Sequence, residues 1–275
     1  MEYTINIKGK LFSFEKPAVM GILNVTPDSF YAPSRVDTSL VVERAKTMLD
    51  AGATILDIGA CSTRPGAEYA GEEDELGRLH EVLEALDKEL PQAVVSIDTF
   101  RGRVVRECAK YHNVSIINDV SGFAWDDDMF SAVVDARMPY VLTHSTMCDE
   151  GKPLLPQVIK DLSEKMYALR THGVADVIID PGFGFGKSVE QNYELMAGLD
   201  TLSMLDAPLL VGVSRKSMIT KLLEISSADA LAGTTALNMF ALSKGAGVLR
   251  VHDVPEAVQV VKMWQALSKN SSSER

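Results

Sequence analysis

Gly247-Val248-Leu249-Arg250-Val251-His252 decides how this chain is read. It is a short, β-branched apolar run that ends in residues able to do chemistry, and it is the last of a series. Similar runs occupy residues 19–24, 54–57, 93–98, 114–119, 140–144, 177–180 and 209–214, and each finishes in Asn, Asp, His or Ser. The stretches between them are long enough for a helix. The 275 residues therefore divide into strand-plus-helix units of about 34 residues, the size of a βαβ element. Eight such units predict an α/β fold, a parallel (β/α)8 TIM barrel, whose active site lies at the C-terminal ends of its strands.

Composition agrees with one large domain spanning residues 1–275. A chain of this length buries roughly 75% of its surface, so its core needs no disulfide or metal. The runs are rich in Val, Ile and Leu without strict polar alternation, as expected of parallel strands covered on both faces. No apolar run reaches the roughly 20 residues of a membrane span, and Met1-Glu2-Tyr3-Thr4-Ile5-Asn6 does not read as a secretory signal. Three cysteines, an odd number, point to reduced thiols and a cytoplasmic protein. A net charge of −11 argues against nucleic acid as a partner, because its backbone is held by clustered Lys and Arg. An anionic ligand would need a locally basic site.

Residues 3–7 and 11–14, joined by Lys8-Gly9-Lys10, predict an N-terminal β-hairpin (residues 1–16) that plugs the far end of the barrel. Helical periodicity is clearest in residues 39–49, 76–90, 104–110, 162–169 and 257–267. In the second of these, Leu79, Val82, Leu83 and Leu86 form the buried stripe. The Ser-rich residues 270–275 are expected to be disordered.

The loops after the strands carry the chemistry. Asn24 places an amide at the first strand end, or simply forms a turn. Ser62, Thr63 and Arg64 offer two hydroxyls and a guanidinium, a set suited to phosphate oxygens; a solvated loop is the competing reading. Ser96 and Asp98 share one strand face. If Asp98 points inward it is a buried carboxylate that needs a partner; alternatively Asp98 and Thr99 cap the next helix. Asp180-Pro181-Gly182-Phe183-Gly184-Phe185-Gly186-Lys187-Ser188 resembles a phosphate-binding P-loop, but Pro181 stands where that motif needs glycine. What remains is a carboxylate and a glycine turn bearing two aromatics, suited to closing over a flat ligand. Ser214-Arg215-Lys216-Ser217 and the same-face pair Arg250 and His252 complete the ring, at the loops that commonly hold phosphate in this architecture. Acids on one part of the rim and cations on another fit a polar heterocycle bearing a phosphate or diphosphate.

Residues 21–30, 57–66, 96–99, 118–122, 180–187, 212–217 and 250–254 together resemble the dihydropteroate synthase family, in order from the first strand to the last. The resemblance implies a pterin-binding barrel, a homodimer, and Mg²⁺ as cofactor. The implied reaction joins 6-hydroxymethyl-7,8-dihydropterin diphosphate to 4-aminobenzoate, giving 7,8-dihydropteroate and diphosphate for folate biosynthesis. Carried residue by residue, it assigns Asp98, Asn118, Asp180 and Lys216 to the pterin, and Asn24, Thr63, Arg64, Arg250 and His252 to the diphosphate, with Asn24 also on the metal. Pro65, Phe185, Lys216 and Ser217 would bracket the aminobenzoate. Asp98, Lys216, Arg250 and His252 would carry the catalysis.

The chain departs from the family pattern in two loops. Tyr31-Ala32-Pro33-Ser34-Arg35 stands where Ser-Asp-Gly-Gly is common, so an acidic residue is missing. Thr143-His144-Ser145 stands where Met-His-Met is frequent, so an apolar pterin contact is missing. Cys61 is expected to be a small loop residue without a catalytic role. Two other readings are a pterin-binding paralogue with altered or no synthase activity, and a corrinoid-linked methyltransferase, which has no need of an Arg/His anion pocket.

Overall fold

The computed structural model describes residues 3–26, 31–32, 35–61, 69–149 and 151–272. The first hairpin pairs β1 (Thr4–Ile7) with β2 (Lys10–Ser13), antiparallel, through Lys8 and Gly9 at positive φ. There follow β3 (Ala18–Asn24), the short antiparallel pair β4 (Tyr31–Ala32) and β5 (Arg35–Val36), α1 (Thr38–Asp50), β6 (Ile55–Gly59) and α2 (Glu72–Glu89). Next come β7 (Val95–Asp98), α3 (Gly102–Tyr111), β8 (Val114–Asp119), α4 (Met129–Ala136), β9 (Tyr140–Thr143) and α5 (Leu154–Thr171). The chain closes with β10 (Val177–Asp180), α6 (Val189–Ala197), β11 (Leu210–Val211), α7 (Ser217–Leu223), α8 (Leu231–Ser243), β12 (Val248–Val251) and α9 (Val254–Ser272).

The eight-stranded sheet runs β10-β9-β8-β7-β6-β3-β12-β11, all neighbours parallel. A parallel bridge between Ile179 and Leu209 joins its two ends. Spatial neighbours are thus chain neighbours all the way round, which is the predicted α/β barrel.

Strand alternation sorts the side chains. Leu56, Ile58, Ile97, Ile117, Leu142, Ile179, Val211 and Leu249 face outward into one continuous apolar layer with the helices. Ile55, Ile116, Val141, Ile178, Leu210 and Val248 face inward and form a separate cluster with Ile5, Ile7 and Phe14 of the hairpin. The hairpin therefore closes the N-terminal end of the barrel, as its position in the sequence predicts.

Boundaries differ in places. Helix α2 begins at Glu72, four residues before the predicted start at Leu76, because Glu72, Glu73, Asp74 and Glu75 occupy its first turn, where negative charge meets the positive end of the helix dipole. Strand β11 is shorter than residues 209–214. Past Val211 the chain turns, with Lys216 N–H on the Val213 carbonyl (3.2 Å) and Arg215 at φ +57°. The C-terminal segment corrects an expectation: α9 continues to Ser272, so residues 270–272 are helical rather than disordered. The Ser268 hydroxyl and the Asn270 amide return to the carbonyls of Trp264 (3.0 Å) and Ala266 (2.9 Å) and so extend the helix.

Candidate active site

Two residues further along the inward faces of these strands, the apolar layer gives way to a polar one. Ile55 is followed by Asp57, Ile116 by Asn118, Val141 by Thr143, Ile178 by Asp180 and Val248 by Arg250. Arg250 is the centre of this layer. Its Nε donates to Asp57 Oδ2 (2.7 Å) and its Nη2 to Asp98 Oδ2 (2.5 Å), while Asn118 Nδ2 donates to the same Asp57 oxygen (2.9 Å). Four strands are tied together by side chains that no single loop could bring together. Asp98 thus points inward and is not a helix cap. The N-terminus of α3 is met instead by Asp126 Oδ2, which accepts the Gly102 N–H (2.7 Å), and by Thr99 Oγ1, which accepts the Arg101 N–H (3.3 Å).

Charge in this layer is strongly perturbed. Burial pushes the Asp98 carboxyl up to about 7 against the opposing pull of Arg250. Burial also works against the Arg250 charge, but Asp57 and Asp98 outweigh it and hold the guanidinium protonated. Removal from water lowers the Lys216 ammonium to about 8, with Asp180 opposing. Asp180 is raised by burial, with Lys216 and the Gly182 N–H opposing. Lys216 therefore lies within the fields of Asp180, Arg250 and Asp98, and Arg250 within those of Asp98 and Asp180.

The walls are built from the later loops. Asp180 Oδ1 accepts the Gly182 N–H (2.7 Å), an Asx turn that starts the glycine loop. Lys216 Nζ donates to the Phe183 carbonyl (2.6 Å) and stands 4.9 Å from the centre of the Phe185 ring. Ser217 opens α7 and is exposed. Asn24 and Asp98 approach from either side of Gly59, where an added Cβ would meet Asn24 Oδ1 at 3.4 Å and Asp98 Oδ2 at 3.5 Å. His252 meets Ser214 through both Nδ1 (3.0 Å) and its backbone N–H (3.2 Å). Thr63, Arg64 and Pro65 lie outside the described residues.

Several residues quoted in the motifs have structural duties instead. Arg215 forms a two-pronged pair with Asp253 (2.9 and 2.8 Å) and caps the carbonyls of Ser227 and Ala228, so it braces loops rather than lining the site. Asp119 faces outward and gathers Ser121, the Phe123 N–H and the Tyr140 hydroxyl. Ser188, the last residue of the P-loop look-alike, is the N-cap of α6 in a capping box with Gln191. Cys61 is buried, and burial first, then Glu75, raises its thiol pKa. Asp57 is the residue that sequence reasoning passed over. Its signal was present, since it shares a strand face with Ile55 and Gly59 and lies at the same level as Ser96.

Four buried oxygens of the inner layer, Asp57 Oδ1, Asp98 Oδ1, Ser96 Oγ and Thr143 Oγ1, have no hydrogen-bond partner among the described residues. Such groups are costly to bury unless a ligand completes them. The carboxylate oxygens accept and the hydroxyls can donate or accept, so a ligand that brings N–H donors matches this layer. Among the described residues no group of three His, Cys, Asp or Glu side chains could hold a metal ion.

A barrel whose inner polar layer is built to receive a donor-rich heterocycle defines the class, and comparison with known proteins agrees. The pterin binding enzyme family matches residues 20–252, and the chain belongs to that family. Within it, the chain groups with the dihydropteroate synthases. It is 38% identical over 267 residues to the dihydropteroate synthase of Bacillus subtilis, covering 96% of this chain and 93% of that protein. The crystal structure of the Yersinia pestis dihydropteroate synthase in a sulfonamide drug complex superimposes with a TM-score of 0.88 at 34% identity, covering 97% of this chain and 100% of the other. The Xanthomonas albilineans enzyme in complex with 7,8-dihydropteroate gives a TM-score of 0.85 at 33% identity, covering 97% and 99%.

Proposed function

We infer that this chain is a dihydropteroate synthase, a transferase of folate biosynthesis that condenses 6-hydroxymethyl-7,8-dihydropterin diphosphate with 4-aminobenzoate. The observation that carries the reading is the inner layer of Asp57, Asp98, Asn118 and Arg250, with buried carboxylate oxygens that no described residue satisfies. A pterin presents adjacent N–H and amino donors, which a carboxylate such as Asp180 accepts in parallel. Lys216 meets the ring acceptors, and Asp98 and Asn118 complete the edge contacts.

The chemistry needs no enzyme nucleophile. The bond from the exocyclic carbon to the diphosphate oxygen breaks, and its electron pair leaves with diphosphate. The resulting cation is shared into the electron-rich pterin and stabilised by Asp98. The aminobenzoate nitrogen then forms the new bond and releases a proton. Fixed charges placed where charge develops, and two substrates held in line, account for the acceleration. Arg250, whose Nε and Nη2 hold the acids, supplies the fixed positive charge beside the departing anion, and His252, Thr63, Arg64 and Asn24 contribute the remaining contacts. Phe185 and Pro65 flank the aminobenzoate ring, with Ser217 near its carboxylate.

The donor set also fits Mg²⁺. That ion keeps several waters and binds through one or two protein oxygens plus substrate phosphates, so Asn24 would hold it beside the diphosphate without a protein cluster. When bound it neutralises charge on the leaving group. The chain works as a cytoplasmic homodimer in this reading. Its three cysteines are free, and none of its described helices is long and apolar enough to cross a membrane. Exposed Leu222, Leu223, Phe240, Met263 and Leu267 on α7, α8 and α9 supply an apolar surface for a second copy.

Diphosphate release with both substrates is the test. Release that depends on 4-aminobenzoate and yields dihydropteroate supports the reading; tight pterin binding without condensation overturns it in favour of a paralogue that kept only the pocket.

A further inference from the structure

The lysine of the glycine loop has no duty in the reaction as derived, yet it is among the most heavily bonded side chains in the molecule. Lys187 Nζ lies 3.0 Å from the Gly182 carbonyl, 3.2 Å from the Phe185 carbonyl, 3.2 Å from the His144 carbonyl and 3.0 Å from His144 Nδ1. An ammonium has three protons, so four converging acceptors leave none for a ligand. The acceptors also explain why they converge. Gly182, Gly184 and Gly186 are all at positive φ, and a Cβ on Gly182 would run into the His144 carbonyl oxygen. The turn is pressed against the end of β9 with its carbonyls directed at one point, where they repel one another unless a cation sits between them.

The opposite side of the same turn faces the reaction. There the Phe183 carbonyl accepts Lys216 Nζ and the Phe185 ring stands beside it. The turn is thus held between two lysines, Lys187 behind and Lys216 in front. We propose that Lys187 is a positioning residue for the aminobenzoate half of the site: its ammonium locks the 182–185 turn so that the Phe185 ring and Phe183 carbonyl are fixed against Lys216. This rests on the reading that Phe185 and Lys216 bracket the aminobenzoate.

His144 completes the lock. Burial, followed by Lys187, lowers its pKa to about 4, so at neutral pH it is uncharged and its Nδ1 lone pair accepts from the ammonium. The ring proton is then on Nε2, which faces Asp161 Oδ2 and Cys148 Sγ, each at 4.0 Å. Burial also lowers Lys187 to about 8, leaving it charged near neutrality. Helix α6 does not depend on this lysine, because Ser188 and Gln191 cap it independently. A fold-only role is therefore a poor account of the four bonds.

Steady-state kinetics of Lys187→Met separates the possibilities. The KM for 4-aminobenzoate is expected to rise about tenfold or more, the loss of roughly one good polar contact, while the KM for the pterin diphosphate stays within about twofold. Lys187→Arg should recover part of the loss. If Lys187→Met does not fold, His144→Leu removes one acceptor and should shift the same constant, less far. Unchanged values for both substrates, or equal rises in both, overturn the proposal in whichever variant folds. Phe185→Ala keeps the two levels apart. If it raises the aminobenzoate KM while Lys187→Met does not, only the lock falls; if it changes nothing, the assignment of Phe185 falls and the lock with it.

Discussion

The lower and upper halves of the barrel interior are made by the same strands, two residues apart, and they obey opposite rules. Below, Ile5, Ile7 and Phe14 of the hairpin meet Ile55, Ile116, Val141, Ile178, Leu210 and Val248 in a dry layer where volume and shape are all that matter. Above, Asp57, Asp98, Asn118, Asp180 and Arg250 occupy the equivalent faces, with four oxygens of the layer unpartnered among the described residues. The contrast teaches where stability and activity reside. The lower layer is complete without a ligand. The upper layer keeps charges that removal from water disfavours, and it is the only one able to change its interactions when a substrate arrives.

Arg250→Met should break the contrast most severely. It leaves Asp57 and Asp98 buried together without their cation, which should cost about 3–5 kcal/mol of stability and abolish turnover. Denaturant titration of the free protein would measure the first, and a stability loss below about 1 kcal/mol would show that the two acids do not depend on the guanidinium.

Next in size, Asp180→Ala and Lys216→Ala should each lower turnover by about 10²-fold or more, the scale of removing one preorganised electrostatic group, with the hairpin layer intact. Wild-type diphosphate release in either variant would remove that residue from the mechanism. Because the Lys216 ammonium is lowered to about 8, its charge is present below that pH and lost above it. Turnover should therefore fall on the alkaline side of about 8, and a rate profile flat to pH 10 would contradict a charged Lys216.

Asp98 gives a stability readout of opposite sense to an ordinary carboxylate. Its folded pKa is raised from 3.8 to about 7, so between those values the native state binds more protons than the unfolded chain. By linkage, its contribution makes stability fall as pH rises through that window. Asp98→Asn should flatten this part of the profile. A slope between pH 4 and 7 identical to wild type would mean that Asp98 is ionised throughout.

The smallest effect belongs to the lower layer. Ile5→Val should cost about 0.5–1.5 kcal/mol and leave kcat and both KM values unchanged. A change in either KM would mean that the two halves are coupled, and the contrast drawn between them would weaken.

Much of this was legible along the chain. Each apolar run ends in a chemical residue, and of the four charges singled out along the chain Arg250 meets Asp98 directly while Lys216 lies in the field of Asp180. The P-loop look-alike was rejected on Pro181, and the fold gives the rejection a cause, since Lys187 turns inward to its own loop and Ser188 caps a helix. Asp57 was passed over because a strand-end motif does not say which side chains meet across a barrel. Along the chain Arg215 reads as one of the rim cations, whereas in the fold Asp253, 38 residues further on, holds it as a brace.

The sequence alone determined the architecture and the chemistry on offer, because strand periodicity and unit length are local properties and each strand end shows its own functional group. Only tertiary structure decided the pairing. Arg250 reaches Asp57 across 193 residues and Asp98 across 152, and no local rule links such positions. Closing the ring put them in one low-dielectric space, where charges that water would have screened apart had to be matched with one another.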